Sequence, residues 1–421
     1  MKKLAAVITL FAVLSSAAFC GCNNNKPNND NNKKNEQTSS VTEQSKTESV
    51  VSVPEESKVK VEDITAVESK PEITAAQLEK INSTLNRYKN IPEISSQSPV
   101  INAEEISSGK TITFIPDNSN NSFTSLVEEQ FKVAAKSAGF SKVSVKESDG
   151  TTAYYMQCLT DAIGSSDIVV MYGDINKDSI AAAIEQTQAN GIEVLSAGNV
   201  GKGQKDHYVD DSIPINYQLS GKLLADWAIS KKKGKVNALA INNSDSTLSS
   251  SIYLGFADEF KENVTAGYCT VMSGSNIEVG NGLATKIKQS IEKDPNLNYV
   301  IVFDDSMISD AVSGVEQSGR KNLTVISAGG SISAFEAAES GKIEMLVAHS
   351  YEWTAYALVD YALRVLGKTT LPQEQDVPVR IVTAESIKTD LKKNSYAGLN
   401  GFYEICFGDR FVPGYSTLWD L

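Results

Sequence analysis

Residues able to do chemistry are few and dispersed in this chain. Only two histidines occur, His207 and His349, and no Gly-x-Ser-x-Gly or phosphate-loop sequence accompanies them. Gly198-x-x-Gly201-x-Gly203 has the wrong spacing for a dinucleotide turn. A carboxylate mechanism without histidine stays open, but support for catalysis is thin, and the chain is expected to be a binder and not an enzyme. Asp304-Asp305 follow an apolar run at the start of a helical segment, where the helix dipole favours a carboxylate. That structural role accounts for one of the pair, and Asp304 is the candidate for facing an open cleft. Asp174-Ile175-Asn176-Lys177-Asp178, with Glu185 as twelfth residue, imitates a calcium loop, yet Ser179 stands where such a loop needs glycine. Helix capping is the simpler reading, so neither a metal nor a cofactor is expected. Phe123 follows a polar loop in which a core residue is out of place; it either stacks on a ligand or packs beneath its own loop. Asn121 beside it is a ligand contact or a helix N-cap.

The remaining chemistry lies at the N-terminus. Met1-Lys2-Lys3, an apolar run over 4–19 and then Cys20-Gly21-Cys22 make an export signal. The run is shorter than the roughly 20 residues of a membrane-spanning helix. The cysteines resemble a lipoprotein processing site, which asks for a small residue before the cysteine that receives the lipid. Gly21 before Cys22 fits, and Phe19 before Cys20 does not. Cys22 is therefore the expected lipid (palmitate-bearing) anchor, with Cys20 and an ordinary signal peptide as alternatives. A net charge of -13, from 39 basic and 52 acidic residues, argues against nucleic acid and against electrostatic adhesion to anionic lipid. Cys158, Cys269 and Cys406 stand singly, as buried small apolar residues do.

These residues need elements to position them. From 23 to about 70 the chain is rich in Asn, Lys, Gln, Ser, Thr and Glu and cannot bury enough apolar surface to offset the entropy of ordering. A disordered tether over 23–109 is expected, about 85 residues of coil with an end-to-end distance near 50 Å. Leu78, Ile81, Leu85 and Tyr88 are helically spaced, which predicts a short helix at 73–88 within it. From Thr111 onward, short apolar runs alternate with amphipathic segments, and Gly139 and Gly191 stand where helices stop. The alternation predicts an α/β protein with parallel sheets and right-handed crossovers. Some 310 residues of it exceed one core, so two lobes are expected.

Several segments carry a resemblance. Phe114-Ile115-Pro116-Asp117-Asn118-Ser119-Asn120-Asn121-Ser122-Phe123, Ala135-Lys136-Ser137-Ala138-Gly139-Phe140, Gln188-Ala189-Asn190-Gly191-Ile192, Asn216-Tyr217-Gln218-Leu219-Ser220-Gly221, Asp304-Asp305-Ser306-Met307 and His349-Ser350-Tyr351-Glu352 follow one another in the order found in type I periplasmic binding proteins. The chain resembles the ribose- and galactose-type sugar binders of ABC importers over about 111–387. The resemblance implies two Rossmann-like lobes joined by a multi-strand hinge: 110–215 plus about 350–384 in the N-terminal lobe, and 216–349 plus about 385–421 in the C-terminal lobe and tail. It implies a cleft at the strand C-termini that closes on a small molecule. The expected ligand set is Asn121, Phe123, Asp174, Asn199, Asn216, Asn243, Asp304 and His349. Departures from the ribose-type pattern are also visible. Gly198-Asn199 replaces Asp-Arg, Ser249-Ser250-Ser251 stands where an arginine precedes Gly255-Phe256, Gly329 replaces an aspartate, and His349 replaces a glutamine. The ligand is thus expected to be small and polar, sugar-like or nucleoside-like, and different from a pentose in its usual pose. The implied partners are ABC permease subunits, with a membrane sensor as the alternative, reached by a lipid-anchored monomer on the outer face of the cell membrane. The aromatic tail, Phe402 to Trp419, either covers a lobe or offers a surface to a partner.

Overall fold

The computed structural model describes residues 60–421 except 68–69, 95–97, 120–121, 199–207, 214, 372–376, 394–405 and 409. Cys20, Cys22 and the expected export signal lie outside the described residues, as do Asn121, Asn199 and His207.

Five parallel strands form the first sheet: β2 (Thr111–Pro116), β3 (Lys142–Val145), β4 (Ile168–Tyr172), β5 (Glu193–Ala197) and β6 (Asp211–Ile213), in the order β3-β2-β4-β5-β6. The central strand β4 is buried along its whole length, as expected where helices cover both faces. Helices α3 (Ser122–Ser137), α4 (Thr152–Ala162) and α5 (Ala181–Ala189) connect these strands. The second sheet has a parallel centre: β7 (Lys235–Asn243), β8 (Ala266–Gly274), β9 (Tyr299–Val302), β10 (Thr324–Gly329) and β11 (Met345–His349), in the order β8-β7-β9-β10-β11. Its helices are α6 (Tyr217–Lys232), α7 (Thr247–Asn263), α8 (Leu283–Lys293), α9 (Ile308–Gln317) and α10 (Ile332–Glu339). Cys158, Cys269 and Cys406 are free and buried, and burial pushes the Cys158 thiol up to about 11.

The chain passes between lobes by short capped segments. β6 leads into α6, whose N-cap Asn216 accepts the Leu219 N–H at 3.1 Å. From β11 the chain enters α11 (Tyr351–Leu366), capped by Ser350 and packed on α3 of the first lobe. Helices α6 and α7 meet backbone to backbone. A Cβ on Gly221 would overlap the carbonyl of Ile252, and one on Gly255 would overlap the carbonyl of Gln218. This contact fixes the N-terminus of α7 against the crossing at α6.

Three features differ from the sequence expectations. The tether expected over 23–109 does not extend that far. β1 (Ile64–Val67) pairs antiparallel with β8, α1 (Ala75–Lys89) packs on α6, and α2 (Ala103–Ser107) packs on α11. Apolar Ile64, Ile81 and Leu85 are buried there, and the Thr74–Gln77 capping box starts α1. β12 (Val379–Val382), expected in the N-terminal lobe, extends the second sheet antiparallel to β11, satisfying the open edge of that strand. α12 (Ala384–Lys393) follows on α10, but the tail helix α13 (Phe411–Leu418), expected with the C-terminal lobe, lies on α11 of the first. Aromatic stacking draws it there: Phe411 lies 5.1 Å from Trp353, and Trp419 is 5.7 Å from Tyr356 and nearly parallel to it.

Candidate ligand-binding cleft

Between the lobes, at the C-terminal ends of the strands, lies a cavity of about 430 Å³. Each lobe presents to it a carboxylate seated in a notch left by a glycine on the neighbouring strand. In the first lobe Asp117, just after β2, fills the space where a side chain at Gly173 would project; Gly173 itself adopts φ +96°. Asp117 accepts from Asn118 N–H at 2.7 Å, Asp174 N–H at 3.1 Å and Thr124 Oγ1–H at 3.2 Å. Burial raises its pKa despite these donors, and the nearby charge of Asp174 adds to the rise. In the second lobe Asp305 occupies the corresponding space at Gly329 and accepts from Ser331 N–H at 2.7 Å. Desolvation, helped by the charge of Asp304, lifts its carboxyl to about 7.

The lobes touch across this cavity. Asp174 Oδ2 accepts the Thr247 N–H at 2.6 Å, so a carboxylate of the first lobe caps the N-terminus of α7 in the second. Phe123, in the first turn of α3, lies against Gly330, where a Cβ would collide with its ring, and it meets Tyr351 edge-on at 6.4 Å. At the crossing, Tyr217 packs over His349 at 5.6 Å and shares a hydrogen bond with Tyr172. His349 Nε2 lies 3.1 Å from Ser220 Oγ; burial drives the imidazole down to about 4, so it is neutral at physiological pH. Ser220 is fully buried and does not line the cavity, so this pair is no reachable nucleophile and base.

Among the expected ligand residues, the structure brings Phe123, Asp174, Asp304 and His349 to the cavity wall. Asn216 is instead the α6 cap and does not line the cavity. Asn243, 2% exposed, stands behind the wall: its Nδ2–H donates to Asp304 Oδ2 at 2.8 Å and orients that carboxylate. The sequence reading missed Asp117, Asp305, Tyr172, Tyr217 and the Ser246-Thr247 start of α7, all of which line the cavity. Asp117 had a usable signal, being the first polar residue after an apolar strand. Among the described residues no group of three or more His, Cys, Asp or Glu could hold a metal ion, so the four aspartates do not form a metal centre. No described helix is long and apolar enough to cross a membrane.

A second depression, about 720 Å³, lies on the outer side of the second lobe, lined by Lys89, Trp227, Lys231 and residues of β10 and α12. It is larger but lies at the N-terminal ends of the parallel strands β10 and β11, and the interlobe cavity is the better candidate.

Comparison with known proteins places this geometry. Residues 112–370 match the family described as the periplasmic binding protein domain. Solved structures share the fold at low identity. A solute-binding protein of an ABC transporter from Agrobacterium vitis, bound to alpha-D-tagatopyranose, has a TM-score of 0.56 at 16% identity, over 66% of this chain and 96% of that one. A periplasmic solute-binding protein from Actinobacillus succinogenes with D-allose gives 0.56 at 17%, over 66% and 99%. A protein from Mycobacterium smegmatis with beta-D-fucofuranose gives 0.57 at 17%, over 70% and 96%. No curated protein matches by sequence. With its family match covering most of the folded residues and two parallel sheets facing one cleft, the chain belongs to the periplasmic binding protein family, with the type I fold.

Proposed function

We propose that this protein is the solute-binding component of an ABC importer, exported and held by lipid on Cys22 at the outer face of the cell membrane, and that it takes up a small polar ligand between its lobes. The interlobe cavity carries the proposal. Its volume falls in the range of about 300–1,000 Å³ usual for small-molecule sites, and it is bridged on either side by Asp174 to Thr247 and by Phe123 to Gly330. A polar wall with one aromatic face suits a sugar-like or nucleoside-like ring. The partners are then permease subunits that recognise the closed pair of lobes, and the protein acts as a monomer without enzymatic activity.

A thermal-shift screen of the full chain against sugars, nucleosides and amino acids tests this, because a ligand that binds only the folded state raises the melting temperature. Phe123→Ala should weaken any cyclic hit. If no compound shifts the melting temperature and native mass spectrometry finds no carried-over ligand, the transport reading fails.

A further inference from the structure

Among the described residues, the charge of the cleft is one-sided. Asp117 and Asp174 face it from the first lobe, and Asp304 and Asp305 from the second. Among the described residues that line it there is no lysine or arginine, and none of the four carboxylates has an ion-pair partner. Their hydrogen-bond donors are neutral: backbone N–H groups of Asn118, Asp174, Thr247, Ser306 and Ser331, the Thr124 hydroxyl and the Asn243 amide. His349, the one described lining residue able to become a cation below neutral pH, is kept uncharged by burial.

Closing two lobes around four aspartates desolvates groups of one sign without supplying an opposite charge, and burial already inclines two of them, Asp117 and Asp305, to keep a proton for want of one. A neutral polyol donates hydrogen bonds to such groups but leaves their charge uncompensated. An ammonium group supplies both the charge and three donors, and an aromatic side chain in the wall, Phe123, is compatible with a cation as well as a ring. We propose that the cleft selects a small ligand bearing a protonated amine on a hydroxylated or cyclic scaffold, the carboxylates of both lobes closing on the ammonium group. This rests on the solute-binding reading above and names the class of solute.

Matched pairs of ligands separate the two claims. Isothermal titration calorimetry of the full chain at pH 6.5 would compare D-glucosamine with D-glucose and with N-acetyl-D-glucosamine, and D-galactosamine with D-galactose and its N-acetyl form. The amines should bind about tenfold or more tightly than their uncharged counterparts, the least expected of one close charge pair. Asp304→Asn and Asp174→Asn, which keep side-chain shape, should each narrow that gap by lowering amine affinity by a larger factor than neutral-sugar affinity. A neutral sugar that binds as well as its amine overturns the amine proposal and leaves the solute-binding reading standing. Amine preference that survives both substitutions also overturns it, since the carboxylates then do not carry the selection. A protein that binds no member of the set, nor any compound of the wider screen, loses both readings.

Discussion

Trp419 offers a sharp test of how the C-terminal helix is held. Its side chain is 1% exposed, stacks on Tyr356, and lies 5.4 Å from Tyr415. Its Nε1–H donates to Asp360 Oδ1 at 2.9 Å, and Asp360 also accepts from Arg364 Nε–H at 2.9 Å. Asp360 and Arg364 are both fully buried, so the indole is one of few donors available to that carboxylate. Trp419→Phe removes the donor and keeps most of the stack, which should cost about 1.5–3 kcal/mol, the usual worth of a hydrogen bond to a charged group. Trp419→Ala removes the ring as well, for about 3–5 kcal/mol. Urea denaturation followed by far-ultraviolet circular dichroism gives both values from the shift in midpoint at constant slope. The expected order of stability is parent, then Phe, then Ala. A Phe variant as stable as the parent would mean that Asp360 does not depend on the indole. An Ala variant within about 1 kcal/mol of the parent would refute the packing of α13 on α11 altogether.

Two further outcomes follow from the geometry. Gly221→Ala forces a methyl into the carbonyl of Ile252, and the overpacking should cost about 1–3 kcal/mol or more, read as a fall in the denaturation midpoint; an unchanged midpoint would show that α6 and α7 are not in backbone contact. Asp305 has a folded pKa of about 7, raised above the usual carboxylate value, so the folded state binds more protons than the unfolded one between these pH values and loses stability as pH rises through that window. Asp305→Asn removes this loss: the ligand-free variant should gain stability over the parent progressively from pH 4 to pH 8, and a difference that does not change with pH would contradict a buried, proton-retaining carboxyl.

The βα alternation from Thr111 to Ala348 was legible because each buried strand is an apolar run closed by a turn residue, and that pattern is local. β1 was not: Ile64-Thr65-Ala66-Val67 sits in polar sequence, and only the free edge of β8 gives it a partner. The spacing of Phe411, Tyr415 and Trp419 suits one helical face, but which lobe it covers is decided by Trp353 and Tyr356, far away in sequence. In the cleft, the choice between Asp304 and Asp305 depends on side-chain direction in a single 3₁₀ turn. Both reach the wall, yet Asp305 is the one sealed beneath Gly329. That contact also accounts for the glycine at 329, since any side chain there would overlap the Asp305 carboxyl. Asn216 and Asn243 follow a familiar ambiguity, because polar residues at element ends serve caps and second-layer hydrogen bonds as readily as ligands.

The antiparallel pairing of β1 with β8 has a mechanical consequence. Where the described chain begins, it is laced to the second lobe, first through this ladder and then through α1, whose Asn82 Oδ1 accepts from Ser230 Oγ–H at 2.6 Å and whose last carbonyl, on Lys89, accepts from Arg380 Nε–H at 3.0 Å. Only afterwards does the chain reach the first lobe, at α2. A pull on the N-terminus is therefore borne by the second lobe. Under the anchoring at Cys22 proposed above, a load on the N-terminus would reach the second lobe before the first.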